Sequence, residues 1–237
     1  MRSRRDRSSR GSTKSSAAPS AVDGDFFAFD LSSVETYLVA DVVLKGAPRD
    51  LRWLPAPVSW FSSSSLDSVE GRKVAEARAA VLGLPLHWPT STPWVVPGAM
   101  RAAYRAAELG VGGGFMQLAS RLRFAGGFDL ESQPLGSLRI AGAEGIDLSG
   151  LTEAISDKSL DERLQATAFA LSGASVARLP ALRVQGRLAC GELAILELVK
   201  RLGPRERSAP AATSIAAAPS RGLARLRSLS ASFRGMD

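Results

Sequence analysis

The spacing of apolar residues changes along the chain, and each change marks a different kind of element. Residues 25–29 form an apolar and aromatic run that predicts a short buried strand. Ser33 then stands before an apolar segment, residues 34–44, that predicts a helix with a serine N-cap. Residues 51–58 predict a second extended segment, and its prolines place that segment at an edge or a bulge of a sheet.

Helical spacing dominates the middle of the chain. The predicted helices span residues 69–82, 99–109, 115–124, 133–143 and 161–171. Beyond them, residues 181–184 and 187–190 flank Gln185-Gly186, a pair that is typical of the two-residue turn of a β-hairpin. A closing helix is predicted over residues 192–202.

The order of these elements predicts the fold class. A strand–helix–strand unit and a hairpin followed by a helix must share one sheet, with the block of helices between them. We therefore predict an α/β, thioredoxin-like fold (βαβ plus ββα) with an α-helical insertion. Its first part spans residues 23–66, the insertion spans 67–172 and the second part spans 173–203.

Charge is concentrated at the two ends of the 237-residue chain. The net charge is +7, but residues 1–22 hold +5 and residues 200–237 hold +6, so residues 23–199 carry −4. We predict that residues 1–22 are a disordered basic tail and that 204–237 combine a Pro/Ala/Ser linker with a basic amphipathic tail. Such tails suit contacts with anionic surfaces or, at the N-terminus, an organelle transit peptide. The mildly acidic central part argues against a specific nucleic-acid interface.

The cysteine and histidine counts exclude several chemistries. With one cysteine, Cys190, the chain has no intramolecular disulfide, no CxxC centre and no cysteine-built zinc site. With one histidine, His87, a histidine-rich metal site is not expected, and we predict no metal. No run of about 18 uncharged apolar residues predicts a membrane span, and the N-terminus lacks the apolar core of a secretory signal. We expect a cytoplasmic location, with organelle import as the open alternative.

Residues 29–38 (FDLSSVETYL) resemble the first βα turn of the DsbA-like thioredoxin superfamily. Within it, they are most similar to the 2-hydroxychromene-2-carboxylate isomerases, which are related to kappa-class glutathione transferases. The similarity continues through residues 79–86, 99–104 and 124–130. It ends at Leu179-Pro180-Ala181, where the family has a cis-proline, and so covers residues 25–202.

The resemblance also implies a chemistry. Ser33 and Thr36 stand where redox members of the superfamily have cysteines, so the chain is not a dithiol–disulfide oxidoreductase. The implied cofactor is glutathione, held by Thr36 and along Leu179, Pro180 and Ala181, with Ser33 as the catalytic residue that positions its thiolate. A helix N-terminus stabilises such a thiolate by lowering its pKa. The implied function is a glutathione-dependent isomerase or transferase, whose thiolate adds reversibly to a small conjugated aromatic substrate.

A catalytically degenerate binding or scaffold protein is the alternative. Ser33 by itself predicts nothing more than an ordinary helix N-cap. Glu35 replaces an aromatic residue of the family, and a carboxylate in the first turn of the helix is expected to repel a bound thiolate. Leu193 and Ala194 replace an aspartate and an arginine that the family associates with glutathione. A homodimer stays open under both hypotheses.

Other residues have both a functional and a structural interpretation. Four tryptophans predict either an apolar substrate pocket between sheet and insertion or ordinary core packing: Trp53, Trp60, Trp88 and Trp94. The glycine-rich residues 110–114 lack the Lys-Ser/Thr of a phosphate loop, and we interpret them as a connection between helices. Cys190 is interpreted as a small buried apolar residue and His87 as a surface residue.

Overall fold

A computed structural model describes residues 22–62, 66, 69–89, 95–132 and 148–202, without the side chains of Val69 and Leu148. All of these residues belong to one unit of the chain, Met1–Arg205. Val22, the last residue of the predicted N-terminal tail, is buried in a core cluster, and its carbonyl accepts a hydrogen bond from Arg183, so the prediction of a disordered tail is wrong for this residue. Residues 1–21 and 204–237, the predicted helix over residues 133–143 and Trp94 lie outside the described residues.

Four short strands form one mixed sheet in the described part of the chain. They are β1 (Phe26–Phe29), β2 (Arg52–Pro55), β3 (Ala181–Val184) and β4 (Arg187–Cys190), in the order β2-β1-β3-β4. β1 and β2 run parallel, whereas β3 is antiparallel to both β1 and β4. The βαβ unit and the ββα unit therefore share one sheet, which confirms the predicted arrangement.

Seven α-helices are described, and five of them lie between β2 and β3. They are α1 (Val34–Gly46), α2 (Val69–Val81), α3 (Pro97–Glu108), α4 (Gly112–Phe124), α5 (Leu148–Ser156), α6 (Ser159–Gly173) and α7 (Glu192–Arg201). α1 connects β1 to β2, and α7 follows β4 and packs against α1. A 3₁₀ turn, Val58–Trp60, follows β2.

Both faces of the sheet are covered, which explains why β1 is apolar without alternation. Phe27 and Phe29 pack with residues of α1, α3, α4 and α7 on one side of the sheet. Phe26 and Ala28 point to the other side, where they pack with residues of α6. A strand that is buried on both faces is expected to show a continuous apolar run.

Two features of the helical block differ from the prediction. α5 is not predicted from the sequence, and α4 begins at Gly112 instead of Phe115. The early start of α4 depends on glycine, because a Cβ at Gly113 would lie 2.6 Å from the indole ring of Trp53. Gly110, with a φ of +78°, makes the turn between α3 and α4, so the predicted connection is shorter than residues 110–114.

Candidate functional site

The loop between β1 and α1 is held in place by one buried carboxylate. Asp30 Oδ1 accepts hydrogen bonds from the amide (2.7 Å) and the hydroxyl (2.6 Å) of Ser32. Asp30 Oδ2 accepts a hydrogen bond from the amide of Val58 at 2.6 Å, which joins this loop to the one after β2. Burial raises the pKa of Asp30, against the hydrogen bonds and the charge of Arg123, which lower it. Asp30 therefore fixes the backbone that presents Ser33.

Ser33 occupies the N-cap position of α1, as predicted. Its backbone is extended, with a φ of −86° and a ψ of 122°, and its side chain makes no capping hydrogen bond. The residue is 5% exposed. An N-cap serine normally stabilises its helix through that missing bond, so Ser33 has the position of a cap without its usual interaction.

The Leu179–Pro180 peptide bond is cis, as expected from the resemblance. The antiparallel register pairs Ala28 with Ala181, so Pro180 stands beside the end of β1, where the loop to Ser33 begins. The Pro180 carbonyl accepts a hydrogen bond of 2.7 Å from the amide of Gly191, at the start of α7. The predicted site residues Leu179, Pro180 and Ala181 are all buried.

Glu35 forms the most unusual contact of this region. The residue is 1% exposed, and its carboxylate lies at the N-terminus of α7, where Oε2 accepts a hydrogen bond of 2.8 Å from the amide of Glu192. Nη2 of Arg178 donates to both carboxylate oxygens, at 2.8 and 2.9 Å. A helix N-terminus combined with a guanidinium is a good receptor for an anion. Here the protein's own side chain fills that receptor.

Gly191 and Arg78 complete this cluster. Gly191 has a φ of +84°, and a Cβ at this position would collide with the Arg178 guanidinium. The side chain of Glu192, 2% exposed, forms an ion pair with Arg78 of α2. Burial raises the pKa of Glu192, while Arg78 lowers it. Two glutamates and two arginines therefore balance their charges at the N-terminus of α7.

The structure gives the partners of the Glu35 carboxylate, which was expected to repel a bound thiolate. The carboxylate is paired with Arg178 and bound by the amide of Glu192, so part of its charge is compensated. Thr36 is fully buried, and its hydroxyl has no hydrogen-bond partner among the described residues. Leu193 is 60% exposed and thus takes no part in a polar site at this helix end.

A separate cavity of about 230 Å³ lies where β1 and β2 end. Because these strands are parallel, their carboxyl ends meet at one edge of the sheet, a common place for ligands in α/β proteins. The walls come from the loops after β1 and β2, the start of α3 and one face of α6, and include Asp30, Val58, Val96, Met100, Asp161 and Leu164. The cavity exceeds the roughly 150 Å³ that holds benzene in an engineered protein, so its volume suits a molecule with a single ring.

An ion pair joins two helices beside this cavity. Nε and Nη2 of Arg101 on α3 bond to the two carboxylate oxygens of Asp161 on α6, at 2.7 and 2.8 Å. Arg101 also donates to the carbonyl of Ile155 in α5. Asp161 raises the pKa of Arg101. The guanidinium thus ties together the helices that close the cavity.

The three tryptophans that the structure describes do not gather around that cavity. Trp53 packs edge-on against Phe27 in the main core, and Trp88 packs against Phe124 in another cluster. Trp60 is 47% exposed. Core packing is therefore the correct interpretation for Trp53, while the apolar part of the described cavity wall comes from valine, proline, methionine and leucine.

The remaining candidates contribute no further chemistry in the described residues. His87 is exposed, as predicted, and Cys190 is only partly buried, at the end of β4. Over the described ranges, no group of three or more His, Cys, Asp or Glu side chains could hold a metal ion. None of the described helices combines the length and apolar character needed to cross a membrane.

Sequence reasoning missed Arg178 and Asp30. Arg178 directly precedes the Leu179-Pro180 pair that the resemblance identified. The available signal was Glu35, because an acid in an otherwise apolar helix start needs a cationic partner when it is buried. Asp30 carried the signal of an Asx turn, an aspartate two residues before a serine amide.

Sheet, helices and the cis-proline loop together define a DsbA-like thioredoxin fold. No protein-family model matches the chain, and no curated protein matches it. A solved structure of a 2-hydroxychromene-2-carboxylate isomerase is similar, with a TM-score of 0.63 and 17% identity over 76% of this chain and 94% of that one.

Two structures of the cytosolic disulfide reductase DsbM from Pseudomonas aeruginosa are similar as well. One has a TM-score of 0.54 and 18% identity, over 70% of this chain and 87% of that chain. The other, DsbM with glutathione, has a TM-score of 0.55 and 15% identity, over 75% and 98% of the two chains. At these identities the similarity establishes the fold and leaves the activity to be argued from the site.

Proposed function

We propose that this protein is a catalytically degenerate binding protein that has a DsbA-like thioredoxin fold and uses neither its own thiol nor that of glutathione. The observation that carries this proposal is the position of the Glu35 carboxylate. It occupies the N-terminus of α7 and takes the hydrogen bonds of Arg178 and of the Glu192 amide. A second carboxylate brought to this place would meet the charge of Glu35 at short range and would lose these donors.

The protein's own residues support this conclusion in two further ways. Ser33 and Thr36 exclude disulfide exchange, since neither carries sulfur. Arg178, the partner of Glu35, also directly precedes Leu179 and Pro180, along which a glutathione backbone is implied to bind. A cytoplasmic location is part of the proposal, and the fold similarity to the cytosolic reductase DsbM supports it.

Glutathione titration of isotope-labelled protein, followed by amide NMR, tests the proposal. We expect no saturable shift of the signals of Ser33 to Tyr37 or of Gly191 to Leu193 at millimolar glutathione. A Glu35→Gln variant provides the comparison, since it keeps the shape of the side chain and removes its charge. A saturable shift in the wild-type protein would overturn the proposal.

A glutathione-dependent isomerase or transferase is the second candidate, because two observations favour it. The Ser33 hydroxyl makes no capping bond, so it is available to a sulfur atom, and the nearby cavity has room for an aromatic ring. This candidate would position the thiolate at the N-terminus of α1 through Ser33 and place a small aromatic substrate between the sheet and the helical block. Its test is glutathione-dependent isomerisation of 2-hydroxychromene-2-carboxylate, which Ser33→Ala should abolish.

A further inference from the structure

A second concave surface lies between α2 and α7, and Arg78 and Glu192 are part of its lining. Both helices pack against α1 and leave a groove of about 470 Å³ between them. Its apolar lining consists of Val74, Ala77 and Val81 from α2, Leu82 directly after α2, and Leu193 and Leu196 from α7. We call this surface the α2–α7 groove.

The exposure of its residues marks the α2–α7 groove as a surface that the described part of the chain leaves uncovered. Val81 is 87% exposed, Leu193 60% and Val74 44%, so three large apolar side chains meet water within one small area. Single exposed apolar residues are common, but a contiguous group indicates an interaction site.

The spacing of the exposed residues specifies a helical partner. Val74, Ala77 and Val81 follow one another at i, i+3 and i+7 and so share one face of α2, while Leu193 and Leu196, at i and i+3, share one face of α7. Two rows of side chains with a gap between them can receive the ridge of a third helix. Amphipathic helices bind to other proteins through grooves of this kind.

The charged residues of the α2–α7 groove indicate which polar residues a partner helix would carry. Lys73 and Arg78 are the cations of the groove, and its acid, Glu192, is buried and paired with Arg78. Among the described residues, no carboxylate forms an ion pair with Lys73. The two cations and one acid leave the lining with a net charge of +1, which comes from Lys73. Acidic residues beside the apolar face of a bound helix would complement this charge.

We propose that the α2–α7 groove binds an amphipathic helix of a partner protein, with apolar residues at i, i+3 or i+4, and i+7 and with acidic residues beside them. This inference deepens the proposed function, since it names a partner class for a binding protein without thiol chemistry. The bound helix would also contact the ion pair of Arg78 with Glu192. It would thus lie next to the residues that fill the N-terminus of α7.

The test uses a fluorescein-labelled synthetic helix of four turns, with leucine on one face and glutamate on both flanks. Fluorescence anisotropy with the full-length protein should give a dissociation constant in the micromolar range. Leu193→Asp and Val81→Asp should each weaken binding by about tenfold or more, the equivalent of about 1.4 kcal/mol. Lys73→Glu should weaken the same peptide severalfold and reduce the salt dependence of its binding.

Two controls make the result specific. Phe169→Asp replaces an apolar residue that is 72% exposed on α6, outside the groove, and should leave binding unchanged. A peptide with lysine in place of glutamate should bind weakly to the wild-type protein and better to Lys73→Glu. Thermal unfolding of each variant verifies that it is folded.

Several outcomes overturn the inference. The inference fails if the wild-type protein does not bind the acidic peptide, or if Leu193→Asp does not weaken this binding. It also fails if the wild-type protein binds the lysine peptide as tightly as the acidic one. A wild-type dimer in light scattering that Leu193→Asp dissociates would assign the groove to a second copy of the chain. Glutathione binding measured on the same samples tests the proposed function separately, because it reports on Glu35 and not on the groove.

Discussion

The pair formed by Arg178 and Glu35 predicts a measurable coupling between two distant segments of the chain. The perturbations are Arg178→Met, which removes the guanidinium from a carboxylate that is 1% exposed, and Glu35→Gln, which removes the charge. The glutamine keeps an oxygen that can accept the hydrogen bond from the Glu192 amide. The double variant closes the thermodynamic cycle.

The expected magnitudes follow from the burial of the two partners. Removing one partner of a fully buried ion pair costs about 3–5 kcal/mol, but Arg178 is 39% exposed, so water screens part of the interaction. We expect Arg178→Met to lower the free energy of unfolding by about 2–3 kcal/mol, in line with hydrogen bonds to charged groups. Glu35→Gln should lower it by about 1 kcal/mol, since it leaves a guanidinium that solvent reaches. The coupling energy should then be about 1–2 kcal/mol.

Denaturant unfolding of the wild-type protein and the three variants at pH 7 measures this coupling. The matched control is the Glu197–Arg201 pair on α7, whose side chains are 58% and 65% exposed. Glu197→Gln and Arg201→Met should show a coupling below about 0.5 kcal/mol, as exposed i,i+4 pairs do. Additive effects of Arg178→Met and Glu35→Gln would refute the claim that the two side chains form one buried unit.

Two further predictions concern Asp30 and the first turn of α4. Because burial raises the pKa of Asp30, its carboxyl keeps the proton at a higher pH in the native protein than in the unfolded chain. The stability that this group contributes should therefore fall as the pH rises above about 3.9 towards the raised pKa. Asp30→Asn should remove this pH dependence from the free energy of unfolding measured between acidic and neutral pH. Gly113→Ala should lower the free energy of unfolding by about 1–3 kcal/mol, because its Cβ would lie 2.6 Å from the ring of Trp53. A Cβ at Gly114 would meet nothing within 4 Å, so Gly114→Ala should instead raise the free energy of unfolding by up to about 1 kcal/mol. Denaturant unfolding measures both variants, and equal effects of the two substitutions would contradict the packing argument.

Local signals in the sequence were sufficient to predict the strands of the sheet. The apolar run of β1 and the Gln185-Gly186 turn each act over a few residues, and the structure gives those two turn residues φ values of +52° and +75°. These values match the hairpin turn that the pair predicts. The position of Ser33 at the start of α1 follows from equally local information.

The helix α5 was missed because its stability is not local. It has nine residues with a glycine at position 150, which is too short and too flexible to be predicted from periodicity alone. In the structure α5 packs against α3, and Arg101 of α3 donates a hydrogen bond to the carbonyl of Ile155. That contact joins residues 54 positions apart, so no short window of sequence contains it.

The resemblance indicated which loops to inspect for a candidate site, but not which contacts their side chains make, for the same reason. The resemblance located the βα turn and the cis-proline loop, yet it could not indicate where the Glu35 carboxylate would go. The partners of Glu35 lie 143 and 157 residues further along the chain. A sequence-based argument could evaluate the charge of Glu35 only against its own helix, and therefore could not predict its pairing with Arg178.

The residues at the N-terminus of α7 depend on one another for their arrangement. Arg178 needs Gly191, because any side chain there would collide with the guanidinium and a φ of +84° with a ψ of 163° is essentially restricted to glycine. Glu35 needs Arg178, because a buried carboxylate without a cation carries a large desolvation penalty. Changing Glu35 alone would leave the guanidinium of Arg178 beside the cis-proline loop. It would also free the amide of Glu192, so the loss of the Glu35 carboxylate alone would open the anion receptor that Arg178, Gly191 and the Glu192 amide build at the N-terminus of α7.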